Sequence, residues 1–496
     1  MASKTRCKMT VPIEQHDLRL AGEAAALMTS GGDARIVLDP ATGLNRYFSA
    51  PLPSAVLAYA SSTANDISPQ AFAHVTALLT RVGPDLPPAA YREALEELRH
   101  RIRRAYGVRE AVRVVFAASG TDLEYVALAC AAGRAPGGTH NILLGADEVG
   151  SGCIHSAHGR YFAEQTALGH ATRVGEPVPG FEGVSVELID VPVRDPQGRV
   201  RPSADISAAM YEAITAEAAR RHTIVHVVHG SKTGLILPTL DDLDRLRAEH
   251  RSRATFVVDA CQARITSEAV QAYLDRGAIV FITGSKFMGG PPFSGFALVP
   301  AELAEEAAPL PGGLATIFRR AEWPADWPGA DALPEGANPG LLLRLEASIL
   351  ELERFQALPP AQVERVILAF HAAVRAEIIE QTPARRVAPY SPGEMRTLST
   401  LDLSRFGGPS AGSGQAGASF EDAQRWHKAL LDHGVRLGQP VKCVRLQDGR
   451  WGATLRTGLA MWQIADRAEL ADDALARAFA ADMRQVREAL LAVASP

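Results

Sequence analysis

The chain has 496 residues, 47% hydrophobic and 22% charged, with a formal net charge of −5. This make-up suits a globular protein with one large core and a second domain. It excludes a general electrostatic affinity for nucleic acid or an anionic membrane, and no apolar run approaches the roughly 20 residues of a membrane span. The basic run Arg101, Arg103, Arg104 follows Glu93, Glu96 and Glu97 and reads as a solvated helix face. Five cysteines without a CxxC pair point to a reducing compartment, and Glu14, His16, Asp17 and Arg19 interrupt Val11 to Leu20, so no signal core follows the basic start. The expected location is the cytoplasm.

The opening stretch is mixed, with turn signals at Asp39-Pro40 and from Pro51 to Pro53. From about residue 70, helical and strand patterns alternate. Buried strands are predicted at Val112 to Ala117, Asn141 to Leu144, Val184 to Ile189, Ile224 to Val228, Thr255 to Val258, Ala278 to Ile282 and Phe296 to Val299. Amphipathic helices such as Leu240 to His250 and Ser267 to Arg276 lie between them. Strands alternating with helices imply a mostly parallel, doubly wound α/β sheet. Residues 308 to 340, rich in Pro, Gly and Trp, break the rhythm before the helices Pro339 to Ala357 and Pro360 to Glu380. The remainder reads as a smaller C-terminal α/β domain, with a strand at Thr397 to Leu403 and a helix at Phe420 to His433. The division is therefore an N-terminal arm (1–65), a large domain (66–335) and a small domain (336–496).

Two strand ends carry chemistry. Ala254-Thr-Phe-Val-Val-Asp259-Ala-Cys-Gln262 places a carboxylate where a buried strand stops, at the sheet edge where open α/β folds bind ligands. Val280-Phe-Ile-Thr283-Gly-Ser285-Lys286-Phe-Met-Gly-Gly290 places a lysine just past the next strand, before a glycine-rich turn. The lysine lies 27 residues after the aspartate, enough for one helical crossover between parallel strands. Pyridoxal 5'-phosphate (PLP) chemistry needs both groups. An amine forms the Schiff base and shuttles protons at the substrate's Cα, and an acid keeps the pyridine nitrogen protonated. A third element, Ser119-Gly120-Thr121-Asp122, follows a strand and opens a helix, where free amides and hydroxyls suit a phosphate. Thr283 and Ser285 add hydroxyls. Each piece has an ordinary reading: an N-cap, a structural aspartate, a solvated lysine. Their order and spacing together favour the cofactor.

At these residues the sequence resembles the fold type I PLP enzymes, and specifically the aminotransferase class V and cysteine desulfurase group. The resemblance rests on Asp259-Ala-Cys-Gln262 and Thr283-Gly-Ser-Lys286-Phe-Met-Gly-Gly-Pro and covers about residues 85 to 475. It implies that Asp259 pairs with the pyridine nitrogen, Gln262 hydrogen-bonds the phenolic oxygen, Lys286 carries the cofactor, and the protein is a homodimer. Gly434-Val-Arg-Leu-Gly438 and Thr454-Leu-Arg456-Thr-Gly are similar to the group's small domain, where an arginine at the place of Arg456 grips the substrate carboxylate. A solvated strand arginine is the plainer reading.

Three departures bear on the reaction. The loop that carries the desulfurase nucleophile reads Gln439-Pro-Val-Lys-Cys443 here, with the cysteine displaced by about two residues. The ring-stacking histidine expected near Glu148 to Ser151 is not evident, leaving Ser151, Cys153 and His155 as alternatives. His229-Gly-Ser-Lys232-Thr-Gly234 follows a strand, and Lys232 is a rival amine, though it precedes Asp259 and lacks the glycine turn. Gly43-Leu-Asn45-Arg46-Tyr47 and Ser61-Ser62-Thr63 are candidates for a substrate gate or for a plain surface arm. Gly408 to Gly412 (GxSxG) and Gly412 to Gly417 (GxGxxG) share one Gly/Ser loop without the strand–turn–helix context such motifs need. Cys153, His155 and His158 have no evident fourth ligand, so no metal is expected. His226 and His229, three apart on a strand, would face opposite sides.

The expected function is a PLP-dependent transferase or lyase acting on a small amino acid through an external aldimine and quinonoid. Transamination and lyase or carbon–carbon bond-forming outcomes, the latter with a second electrophilic substrate, both remain open. The alternatives are a cysteine desulfurase using Cys443 and a non-catalytic PLP-binding sensor.

Overall fold

The computed structural model describes residues 15–146, 148–150, 152–388, 395–406 and 417–495. Ser151 and most of the Gly/Ser loop with its two motifs lie outside them. Among the described residues, eight strands form the main sheet. Its order is Arg113–Ala117, Gly295–Val299, Ile279–Thr283, Ala254–Asp259, His222–His229, Thr139–Leu144 and Ile189–Val191, with the short Ile236–Leu237 hooked antiparallel onto His222–His229. Gly295–Val299 runs antiparallel to both its neighbours, and the remaining pairs along the sheet are parallel. The parallel strands therefore end on one edge.

Alternation along each strand divides the core in two. Val114, Phe116, Val258, Val280 and Ile282 join one apolar cluster, while Val115, Ala117, Val257, Ile279 and Phe281 join the other. A sheet buried on both faces needs the near-continuous apolar strands seen in the sequence. The first face is covered by the helices Pro88–Tyr106, Ser203–Glu217, Leu240–His250, Ser267–Asp275 and Pro339–Gln356. The second is covered by Glu124–Ala131, a helix buried on every side, and by Leu314, Phe318, Trp323 and Trp327. The Pro/Gly/Trp stretch that interrupts the sequence rhythm is thus the lid of the second core.

Three predicted elements differ. Val184 to Ile189 is not a strand. Val184 makes a single bridge to Thr139, and the edge strand is Ile189–Val191. Val186 and Leu188 stay exposed, so their apolar character does not mark burial. The helix predicted from Pro360 to Glu380 is α-helical to Ala373 and widens to a π turn over Val374–Ile379. The helix from Phe420 ends at Ala429 and tightens into a 3-10 turn at Leu430–His433. Its start is fixed by a capping box between Ser419 and Asp422.

In the C-terminal part, Arg385–Arg386, Leu398–Asp402 and Thr454–Gly458 form an antiparallel sheet. Val435–Leu437 pairs in parallel with Leu57–Tyr59 from the other end of the sequence. Buried Arg436 fastens that junction. Its Nη1 and Nη2 donate to Asp66 Oδ1 and Oδ2 at 3.0 and 2.8 Å, and Nη1 also donates to Phe48 O at 2.6 Å. No helix among the described residues is long and apolar enough to cross a membrane.

Arg436→Met strands the Asp66 carboxylate in the interior and is expected to destabilise the protein by about 3–5 kcal/mol. Asn at 66 still accepts from the Ala50 amide, so the pair Asp66→Asn, Arg436→Met should recover part of that loss. Urea denaturation of wild type and the two variants checks this. Equal midpoints for wild type and Arg436→Met would sink it.

Candidate active site

Asp259 is the last residue of its strand, and Lys286 lies three residues beyond the end of Ile279–Thr283, the neighbouring parallel strand. Both open into a cavity of about 330 Å³ at the sheet's carboxyl edge, within the size range of small-molecule sites. The nine site residues named from the sequence, Ser119, Gly120, Thr121, Asp259, Gln262, Thr283, Ser285, Lys286 and Arg456, all line it. The cavity also takes in Arg35, Tyr47, Ser62, Thr63, Glu124, Glu148 and Cys153, which sequence reasoning did not assign a binding role or left open.

At one end, Ser119 Oγ donates to Asp122 Oδ2 at 2.6 Å and accepts from the Asp122 amide at 3.3 Å. The amides of Gly120 and Thr121 meet no acceptor among the described residues, and both precede the first turn of Glu124–Ala131. A Cβ on Gly120 would come within 3.0 Å of Thr283 Cγ2 and 3.1 Å of Cys261 Sγ, so backbone alone forms this wall. Unspent amides with a bare backbone suit an oxyanion. Thr283 Oγ1 donates to Cys261 O at 2.6 Å and accepts from Ser285 Oγ at 3.4 Å, so these hydroxyls already have partners within the protein.

The lysine loop is held from two sides. Asn65 Nδ2 donates to Ser285 O at 3.1 Å and Lys286 O at 2.6 Å. Gly284 and Gly290 lie so close to the helix Pro339–Gln356 that a Cβ on either would fall within 2.2 Å of Ser348 Oγ. The glycine-rich turn is therefore a packing requirement. Asp259 Oδ1 accepts from the Cys261 amide at 2.9 Å. Buried Glu124 lines the same cavity, with His226 Nε2 3.2 Å from its Oε2. Burial, then the charge of Asp259, holds the Glu124 carboxyl well above the usual range. Burial pushes His226 down to about 4. His229 turns elsewhere, its ring edge-on to Tyr273.

At the other end, the guanidinium of buried Arg456 is largely engaged. Nε donates to Gln439 O at 2.9 Å, Nη1 to Ser62 O and Lys232 O at 3.3 and 3.1 Å, and Nη2 to Thr63 Oγ1 at 3.1 Å. Of five N–H donors, one is left. Gln262 Nε2 donates to Ser62 O at 3.1 Å and its Oε1 accepts from Arg264 at 2.7 Å. Glu148 accepts from Arg194, Ser231 and Thr233 and so fixes the 230–234 loop, whose Gly230, Ser231 and Lys232 line the cavity. Lys232, the rival candidate, thus lines the same cavity as Lys286. Of the ring-covering alternatives, Cys153 lines the cavity, His155 does not, and Ser151 is outside the described residues. Cys443 is buried, is not part of the cavity lining, and burial pushes its thiol up to about 12. No group of three or more metal-ligating side chains occurs among the described residues.

Neither a family model nor a curated protein matches the sequence. Solved structures match along most of its length. Ureidoglycine-glyoxylate aminotransferase from Bacillus subtilis shares 12% identity, with 89% of this chain and 93% of that one covered and a TM-score of 0.52. Pyridoxamine-pyruvate aminotransferase from Mesorhizobium loti shares 17%, covering 88% and 96%, with a TM-score of 0.50. A cysteine desulfurase from Escherichia coli shares 16%, covering 86% and 96%, with a TM-score of 0.51. These likenesses establish the fold, that of the type I PLP transferases, which is the fold expected from the sequence.

Burial, opposed by the Ser119 hydroxyl, pushes Asp122 up to about 6. A raised folded-state value means that between about pH 4 and 6 the folded chain keeps a proton the unfolded chain releases, so stability falls as pH rises through that window. The cost above it is roughly 3 kcal/mol. Asp122→Asn removes this dependence. Urea midpoints taken from pH 4 to 7 should decline less steeply than in wild type, and parallel curves would refute the assignment.

Proposed function

We propose that the chain is a PLP-dependent enzyme acting on a small amino acid, by transamination or by a lyase or carbon–carbon bond-forming reaction that uses a second, electrophilic substrate. One observation carries the reading: Lys286 and Asp259, at the ends of adjacent parallel strands, share a cavity with the unspent amides of Gly120 and Thr121. When bound, PLP supplies an aldehyde that condenses with amines and a ring that takes up electrons from the substrate's Cα.

The chain's own groups divide the remaining work. Lys286 anchors the aldehyde carbon and moves a proton at the substrate's Cα. Asp259 holds a proton on the ring nitrogen. Ser119, Gly120 and Thr121 bind the phosphate, with Thr283 and Ser285 shaping that end. The second Nε2 hydrogen of Gln262 is left for the phenolic oxygen. Arg456 orients the substrate carboxylate with its charge and remaining N–H. Ser62, Thr63 and Tyr47, from the proposed arm (1–65), border the cavity between the large (66–335) and small (336–496) domains and help exclude water. The reading includes the homodimer that the resemblance implies. It also includes a cytoplasmic setting, supported by the unpaired state of Cys130, Cys153, Cys261 and Cys443. The buried, high-pKa thiol of Cys443 weighs against a desulfurase, because the thiolate is the nucleophile.

Purified protein should take up added PLP, and borohydride should fix it to the peptide containing Lys286. Lys286→Ala should abolish that label and lower turnover by at least about 10²–10⁴-fold. Label on Lys232 instead would reassign the amine. An amino-acid panel followed by absorbance then separates the outcomes. Conversion to pyridoxamine phosphate indicates transamination, a lasting long-wavelength band indicates lyase-like chemistry, and no turnover at all indicates a sensor. Cys443→Ala should leave turnover within about twofold, since the thiol is outside the cavity. Loss of sulfide release from cysteine in that variant would restore the desulfurase.

A further inference from the structure

The end of the cavity proposed to bind the phosphate has hydroxyls and amides but, within Ser119 to Thr121, no cation. Arg35 supplies one from a distant part of the sequence. It sits in the single 3-10 turn Ala34–Ile36, which Asp33 caps by accepting the Arg35 amide at 2.9 Å. Buried Ile36 packs this turn against Ala118, next to the Ser119–Thr121 wall, and against Phe293. The guanidinium carbon lies 4.8 Å from the centre of the Phe293 ring and 5.2 Å from that of Phe162, which restrict its plane.

The hydrogen bonds orient it further. Asp33 engages one edge, accepting from Nε at 2.9 Å and from Nη2 at 2.7 Å. Nη2 also reaches Ser119 Oγ at 3.5 Å, and Nη1 meets no acceptor among the described residues. The edge away from Asp33 therefore keeps donors on the side of the cradle, and Arg35 is itself part of the cavity wall. Burial alone would weaken the cation, but the hydrogen bond to Asp33, Tyr47 and the charges of Asp33 and Asp122 together outweigh it. Asp33, bonded to Arg35, and Asp122, bonded to Ser119, would repel an incoming anion, which makes a cation here more necessary.

We propose that Arg35 is a phosphate ligand of the cavity, binding the cofactor's phosphate together with the Gly120 and Thr121 amides. This rests on the PLP reading and extends it: the N-terminal segment completes the cofactor site. A phosphate and a substrate carboxylate are both oxyanions that a guanidinium binds, and the position beside Ser119 favours the phosphate.

The test compares the binding of PLP and of unphosphorylated pyridoxal to the cofactor-free full chain, wild type, Arg35→Ala and Arg35→Lys, by absorbance and fluorescence. Arg35→Ala should weaken PLP binding by about ten- to a hundredfold while pyridoxal changes by less than about threefold, and Arg35→Lys should keep an intermediate PLP affinity. Equal losses for both vitamers would make Arg35 a structural residue and overturn the proposal, as would unchanged PLP affinity. A carboxylate role is read separately on the PLP-loaded protein by comparing aminooxyacetate with methoxyamine. Loss of the preference for aminooxyacetate in Arg35→Ala, with PLP affinity intact, would assign Arg35 to the substrate and overturn the phosphate assignment. If wild type takes up neither vitamer, the cofactor reading fails and this proposal with it. If wild type binds PLP and the variants bind it equally well, only this proposal fails.

Discussion

Arg456 is the point at which three remote parts of the chain meet. One buried guanidinium donates to Ser62 and Thr63 near the N-terminus, to Lys232 after a main-sheet strand, and to Gln439 in the C-terminal part. A buried arginine is tolerated only when its charge and donors are satisfied. Here backbone oxygens do most of that, and Glu148 adds an opposing charge. Burial still pulls Arg456 down to about 10. These oxygens converge on a single side chain in the cavity wall.

Other buried arginines repeat the device. Arg344 donates to the carbonyls of Met28, Ser30, Gly31 and Phe293, tying the N-terminal segment to the loop after Lys286. Arg264 reaches Ser61, Gln262 and Thr397 and lies over the Phe287 ring. Burial, then the like charge of Arg456, pushes Arg264 down to about 9. Two desolvated cations side by side make this end of the cavity more welcoming to an anion than to a cation. The segment from residue 28 to 66 is thus held by a series of guanidiniums, and it brings Arg35, Tyr47, Ser62, Thr63 and Asn65 to the cavity or the lysine loop.

Physical signals in the chain differ in how far they reach. The main-sheet strands were legible because a strand buried on both faces must be apolar almost without interruption, as Thr255 to Val258 and Ala278 to Ile282 are. Val184 to Ile189 carried the same signal and misled, because Val186 and Leu188 lie in an irregular stretch before the edge strand and face solvent. Asp259, Lys286 and the Ser119–Thr121 turn were legible as a cavity because parallel strands must all end on one side. Arg456 was legible as a cavity residue. Its engagement by carbonyls was not, since those belong to residues up to about 390 positions away.

The sequence alone therefore determined the parallel α/β architecture and the edge at which chemistry is placed, because strand periodicity and strand-end residues are local properties of the chain. Tertiary structure alone decided what surrounds that edge. Arg35 and Glu124 beside the cavity, Asn65 on the lysine loop, and the withdrawal of Cys443 into the interior depend on packing between segments hundreds of residues apart. No local pattern encodes a contact whose two halves are fixed by different parts of the core.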